Sequence, residues 1–132
     1  MHKQLVVLFA LAFLAITQAW SFDVWTSANY RGKRRSFYDL RAGNNCFSLP
    51  SDVSAKVHSF KFCSMAWTRC SITIHSNPGC TGSILGSATA AAPRAEWHKK
   101  TVSSAGSKMK SFRISGCKSI PIAGNLDVQK CS

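Results

Sequence analysis

A short segment of this chain occurs twice, and the repeat limits the folds that the chain can adopt. Lys56–Phe62 reads KVHSFKF and Lys108–Ile114 reads KMKSFRI, so the same order of basic, apolar, serine and phenylalanine residues returns after 52 positions. In both copies the phenylalanine is followed two positions later by another apolar side chain. A strand needs this alternation to turn one face towards a core. The chain is therefore predicted to contain two copies of one β unit.

A second pair of segments repeats at nearly the same interval. Trp25–Gly32 reads WTSANYRG and His75–Gly82 reads HSNPGCTG, an offset of 50 positions. Each segment contains a ring, four turn-forming residues, a second side chain, one further residue and then a glycine. Gly32 and Gly82 are expected to have positive φ, which glycine adopts at the lowest cost, in a hairpin that folds back on its own sheet. The domain is predicted to be two copies of a four-stranded unit.

The rest of the chain supports an all-β fold. From Phe22 onwards, apolar residues come in short alternating groups separated by turn formers such as RAGNN and NPG, and helical periodicity is almost absent. Many short strands at this spacing predict an antiparallel sandwich or barrel. The length of 132 residues fits one globular domain.

The first residues are interpreted as a signal peptide. The apolar run Leu5–Ile16 is 12 residues long, shorter than the roughly 20 residues that cross a bilayer. Residues 1–19 are predicted to be removed, with cleavage after Ala19 or Ser21, and the product is expected to be secreted and extracellular. The predicted divisions are a domain at 22–117, with a first motif at 22–63 and a second at 70–117, and a C-terminal extension at 118–132.

All six cysteines follow the predicted signal peptide, and an exported chain meets an oxidising compartment. We therefore expect three disulfides, each contributing about 2–4 kcal/mol to stability, and the spacing leaves the pairing open. A zinc site is not predicted, because neither CxxC nor HxxxH spacing occurs. The predicted disulfide residues are Cys46, Cys63, Cys70, Cys80, Cys117 and Cys131.

These residues together resemble a βγ-crystallin domain. The Greek key motif of that family has an aromatic residue, a second aromatic about five positions later, a glycine two positions after that, and then a distant serine that holds the folded hairpin. The first unit matches this motif at Trp25, Tyr30, Gly32 and Ser59, and the second matches less fully at His75, Cys80, Gly82 and Ser111. The resemblance implies a βγ-crystallin-like sandwich of two Greek key motifs, bridged by disulfides.

The resemblance also bears on ligands and on function. Many crystallin-fold proteins bind calcium just before the serine of each motif, but the segments SAKVHS and GSKMKS offer lysines there instead of carboxylates or amides. Calcium binding is therefore not expected, and no cofactor is predicted. The signal peptide, cysteines and positive charge are similar to those of the crystallin-fold antimicrobial proteins of plants and killer toxins of microbes. The same scaffold also includes a metalloproteinase inhibitor, so it does not fix one function.

Positive charge is the strongest functional signal in the sequence. The chain has 17 lysines and arginines against five acids, a formal net charge of +12. We predict binding, as a monomer, to anionic cell surfaces, either lipid headgroups or acidic wall polymers, through a basic patch beside Tyr30, Phe37 and Trp97. The expected outcome is antimicrobial or killer-toxin-like growth inhibition, or an effector role at a host surface. Nucleic acid is disfavoured, because no recognition motif for it is present. The predicted contacts are Arg31, Lys33, Arg34, Arg35, Arg41, Lys99, Lys100, Lys108 and Lys110.

Two alternatives remain open from the sequence. One is a protein-binding module, such as a protease inhibitor, that uses an exposed loop. The other is a small secreted ribonuclease, in which Glu96 and His98 would share one face of a strand near Arg94. No nucleophile, metalloprotease or paired-carboxylate motif is present, so the chain is predicted not to be an enzyme and no catalytic residue is assigned.

Overall fold

The computed structural model describes residues 20–39, 44–64, 69–89 and 95–117. These residues form eight strands and one short 3-10 helix at Gly106–Lys108. The strands are β1 (Trp20–Ser27), β2 (Arg31–Asp39), β3 (Asn45–Ser48), β4 (Ser59–Ser64), β5 (Ser71–Asn77), β6 (Thr81–Ala88), β7 (Ala95–Lys99) and β8 (Ser111–Ser115). The predicted all-β fold is confirmed.

The strands make two antiparallel sheets of four. Their orders are β2-β1-β4-β7 and β3-β8-β5-β6, and we call them the first and the second sheet. Each motif contributes three strands to one sheet and sends its third strand, β3 or β7, to the other. This exchange defines a sandwich of two interlocked Greek key motifs, which confirms the βγ-crystallin-like architecture that the resemblance implied.

The serine of each motif holds its hairpin against the sheet. Ser59 Oγ accepts a hydrogen bond from the backbone N–H of Tyr30 at 3.0 Å and donates to the carbonyl of Ser27 at 2.7 Å. Ser111 makes the same two bonds in the second motif, accepting from the Cys80 N–H at 2.9 Å and donating to the carbonyl of Asn77. Both serines are buried, so these bonds satisfy groups that water does not reach.

The two hairpin glycines have the backbone conformation predicted for them. Gly32 has φ of +82° and Gly82 has φ of +78°. A Cβ atom would lie 2.6 Å from Thr26 Oγ1 in the first hairpin and 2.6 Å from Ser76 Oγ in the second. Neither position accepts a side chain without strain, because both the dihedral angle and the space require glycine.

Aromatic rings fill the core between the sheets. The ring of Phe112 on β8 lies 4.7 Å from that of Phe22, 5.1 Å from Phe47 and 5.2 Å from Phe37, measured between ring centroids. Phe60 and Phe62 are buried on the inner face of β4, and Phe112 and Ile114 on that of β8. The face assignment made from the repeat is therefore confirmed.

Two disulfides fasten strands and turns of the second sheet. Cys46 on β3 is bonded to Cys80 in the β5–β6 turn, and Cys70 is bonded to Cys117. Cys63 is also disulfide-bonded. No described cysteine is free, which confirms the expectation of disulfides for these five. Cys131, Arg41, Arg94 and the predicted signal peptide lie outside the described residues.

Candidate functional site

At one end of the sandwich, two hairpin turns and two long loops lie side by side, because the strands of each sheet are antiparallel. The hairpin turns at 28–30 and 78–80 lie at this end, and the loops at 49–58 and 100–110 cross between the sheets there. Backbone hydrogen bonds join these segments: the Ala55 N–H donates to the Met109 carbonyl at 2.9 Å and the Asn29 N–H to the Lys100 carbonyl at 2.8 Å. We call this region the loop end.

Basic residues are concentrated at the loop end. Asp52 is its only acid among the described residues, whereas Asp39 and Glu96 lie near the opposite end and Asp23 lies in the middle of β1. A surface with this imbalance has a positive potential. The basic residues of the loop end are Arg31, Lys56, Lys99, Lys100, Lys108 and Lys110.

The loop that carries Lys56 is anchored by the histidine that follows it. His58 Nδ1 lies 2.8 Å from the carbonyl oxygen of Thr26 and 3.0 Å from that of Lys56. Both partners only accept hydrogen bonds, so Nδ1 carries the proton and donates. The backbone N–H of His58 also donates to the Trp25 carbonyl at 2.9 Å. These bonds hold exposed Lys56 beside the first hairpin.

The sequence predicted that the run RGKRR belongs to one basic patch with these residues. The structure instead divides the run between two faces of β2. Successive side chains of β2 point to opposite faces, so Lys33 and Arg35 reach Asp52 on one side while Arg34 reaches Asp23 on the other. Arg34 also lies over the Trp25 ring at 5.4 Å. Three of the predicted contact residues therefore pair with carboxylates, and Arg31 is the member of the run at the loop end.

The ion pairs at Asp52 affect its titration. The hydrogen bond from Arg35, assisted by that from Lys33, lowers the pKa of the Asp52 carboxyl below its usual value, although partial burial acts in the opposite direction. The carboxylate stays charged and offsets part of the charge of its two partners. The positive electrostatic potential around β2 is therefore weaker than its sequence alone indicates.

The aromatic residues predicted to accompany the patch have separate positions. Tyr30 packs on Trp25 at 5.1 Å and lies beneath the ammonium of Lys61 at 4.3 Å. Phe37 packs on Phe112 in the core, and Trp97 packs on Phe60 at 4.8 Å. Phe37 and Trp97 are partly buried core residues, so only Tyr30 lies beside the basic run.

The two residues of the ribonuclease alternative lie on β7. Glu96 pairs in register with Cys63, and His98 pairs with Lys61. Alternate positions of a strand share a face, so Glu96 and His98 have the relation that the sequence predicted. Arg94, the third residue of this alternative, lies outside the described residues.

Sequence reasoning did not include Lys56 and His58 among the contact residues. Both belong to the repeated segment KVHSFKF, and their counterparts in the second copy are Lys108 and Lys110, which were included. Aligning the two copies position by position would have identified them. The bond from the Lys110 N–H to the His75 carbonyl, at 3.0 Å, repeats the bond from His58 to Trp25.

The described residues contain no group of three or more histidine, cysteine, aspartate or glutamate side chains placed to hold a metal ion. In the same part of the chain, no helix has both the length and the apolar character needed to span a membrane.

Comparisons with known proteins return one structural likeness. No protein-family model matches the chain, and no curated protein sequence matches it. A solved structure, that of the N-terminal domain of protein S, is similar at 13% sequence identity and a TM-score of 0.45, covering 77% of this chain and 99% of that domain. The assignment to the class of two-Greek-key β-sandwiches rests on the strand order and on the serine-held hairpins described above.

Proposed function

We propose that this is a secreted, non-enzymatic protein that adsorbs to anionic cell surfaces through the loop end. The observation that carries the proposal is the separation of charge along the strands. Exposed bases are concentrated where the loops cross, and the acid found there is already paired with Lys33 and Arg35. Each base near a charged bilayer contributes about 1 kcal/mol to binding. Acidic lipid headgroups or wall polymers would supply the negative charge, and growth inhibition of the target cell is the proposed outcome.

Secretion is part of this proposal, and the position of Trp20 favours one of the two cleavage sites. Trp20 is only 2% exposed and its ring lies 5.2 Å from Phe47 and 6.0 Å from Phe112. Cleavage after Ser21 would remove this side chain from the core, at a cost of about 3–5 kcal/mol if it resembles a truncation of tryptophan to alanine. We therefore propose cleavage after Ala19, which N-terminal sequencing of the exported protein tests directly.

The adsorption proposal is tested with oxidised protein and lipid vesicles. Phosphatidylcholine vesicles with and without phosphatidylglycerol are the probes, and binding is measured by cosedimentation at several salt concentrations. The double variant K100Q/K108Q removes two exposed charges from the loop end. We expect about thirtyfold weaker binding to the anionic vesicles, from about 1 kcal/mol per base.

A matched variant removes the same charge elsewhere. Lys61 and Arg113 lie in the middle of β4 and β8 and face away from the core, so K61Q/R113Q changes the net charge equally. We expect this variant to lose much less affinity than K100Q/K108Q. Equal losses for the two variants would contradict an oriented site, and one-to-one binding to a protein that persists in moderate salt would favour the inhibitor alternative.

A further inference from the structure

A cleft opens between the sheets on the side of the second motif. It has a volume of about 430 Å³ and lies between edge strands β6 and β7, beneath the loop at 100–110. Pockets that take small ligands have volumes of about 300–1,000 Å³. Its apolar lining consists of Phe60, Ile74, Leu85, Trp97, Val102 and Met109.

A lysine lies at the edge of this apolar lining. Lys99 pairs in register with Phe60 on β4, and Phe60 faces the core. Lys99 therefore lies on the core-facing side of β7, at the mouth of the cleft. Lys99 makes no ion pair with any described residue, and its side chain borders the cleft beside Thr101 and Ser103.

The corresponding position in the first motif explains why the cleft exists. Phe112 is the counterpart of Phe60, and its partner on β3 is Phe47, which stacks on it at 5.1 Å. Lys99 therefore occupies the place of Phe47. The first motif fills this opening with a ring, and the second leaves it open with a cation at its mouth.

The edge strand on the other side of the opening also differs between the two motifs. It is β2 in the first motif and β6 in the second. In the first motif Arg35 lies opposite Val24 and bonds to Asp52, which closes that side with an ion pair. In the second motif Gly86 lies opposite Ile74. A Cβ atom on Gly86 would lie 2.7 Å from the Trp97 ring, so the glycine leaves room for the indole that forms one wall.

We infer that this cleft binds an amphipathic anion, with an unbranched alkyl tail against the apolar lining and a single negative head group at Lys99. The tail gains the free energy of apolar burial, and the head makes a charge-assisted hydrogen bond with the ammonium. Carboxylate, sulfate and phosphate heads share this chemistry. Lys99 is also one of the bases of the loop end, but both vesicle variants keep it, so the cleft and the adsorption surface can be tested separately.

Binding is measured by isothermal titration calorimetry with octanoate, decanoate and dodecanoate, each below its micelle-forming concentration. Burial of one methylene corresponds to about a fourfold gain in affinity, so the series should strengthen with length until the cleft is full. Dodecyl sulfate and dodecyl phosphate compare the head groups. Binding that does not depend on tail length, or no binding of any probe, would overturn the inference.

Three variants separate the head from the tail. K99Q should weaken decanoate binding about tenfold or more and leave decanol binding unchanged, since a hydrogen bond to a charged group is worth about 1.5–3 kcal/mol. K61Q makes the same charge change on the outer face of β4, outside the lining, and should bind decanoate as the wild type does. K99F places the residue of the first motif in the opening and should abolish the binding of both probes.

Each outcome of this comparison decides the inference. Equal binding of decanoate by K99Q and wild type would exclude Lys99 as the head-group partner. Undiminished binding to K99F, with a thermal unfolding transition showing that this variant is folded, would place the tail outside the cleft. Loss of vesicle binding by K100Q/K108Q without loss of decanoate binding would leave the cleft assignment intact.

Discussion

The β1–β2 and β5–β6 hairpins have equivalent backbone conformations but are held by different side chains. In the first hairpin the rings of Trp25 and Tyr30 pack together at 5.1 Å. In the second, His75 and Cys80 occupy these positions, and Cys80 is bonded to Cys46 on β3. The serine and glycine remain in both hairpins, while the aromatic pair is replaced by a covalent link. The repeat therefore preserves the backbone hydrogen bonds and leaves the fastening of the turn free to vary.

The edge strands that follow these hairpins differ in charge. Strand β2 begins RGKRR, whereas β6 begins TGSIL, with Ile84 at 65% exposure. Charged residues protect an exposed edge from pairing with another chain, and β6 has none. The two halves thus have different surface properties on equivalent strands: the edge strand of the first half is charged, and that of the second half is uncharged and partly apolar.

The largest expected effect comes from removing the covalent fastening. The disulfide between Cys46 and Cys80 spans a sequence separation of 34 residues. On the chain-entropy relation, C46S/C80S should lower the free energy of unfolding by about 3–4 kcal/mol. Urea denaturation measures the loss, and a loss below about 1 kcal/mol would mean that the second hairpin does not depend on its covalent link.

The second largest loss of stability is expected when the serine of either motif is replaced. Ser59→Ala leaves the Tyr30 N–H without its acceptor, and Ser111→Ala does the same to the Cys80 N–H. Each change should lower the free energy of unfolding by about 1–3 kcal/mol, the cost of an unsatisfied buried group. The two losses should agree within about 0.5 kcal/mol, measured by the same denaturation. A difference of several-fold would show that the motifs are not energetically equivalent.

The smallest expected effect concerns the ion pairs of Asp52 in the first half. Because hydrogen bonding to Arg35 lowers the pKa of Asp52 in the folded protein, this group stabilises the fold at pH values above its unfolded pKa of about 4. The contribution declines as the pH falls from there through the folded pKa. Asp52→Asn should remove this component of the pH dependence, and unchanged acid unfolding curves would contradict it. Thermal unfolding between pH 2 and 7, at roughly one-unit steps, measures the difference.

Local patterns were sufficient to predict much of the fold. Gly32 and Gly82 and the inner face of β4 and β8 were identified from alternation and spacing, because each depends on the backbone conformation of its own segment. The role of Ser59 and Ser111 was implied by the resemblance to the Greek key motif. The basic run was interpreted less well. Its partners Asp23 and Asp52 lie on other segments, and the alternation that places Arg34 opposite Lys33 and Arg35 matters only once β2 is paired.

The amino-acid sequence by itself determined that the chain is a duplicated β unit, that each unit closes with a glycine and a serine, and that its charge is strongly positive. Only the tertiary structure decided where that charge lies. Antiparallel pairing returns both hairpins and both long loops to one end, so Lys56 lies at the same end as Lys100 and Lys108 although it is far from them in the chain. It also placed Lys99 where Phe47 lies in the other half. Such juxtapositions follow from the strand order, which is set by burial of the shared core and not by the local preference of any one segment.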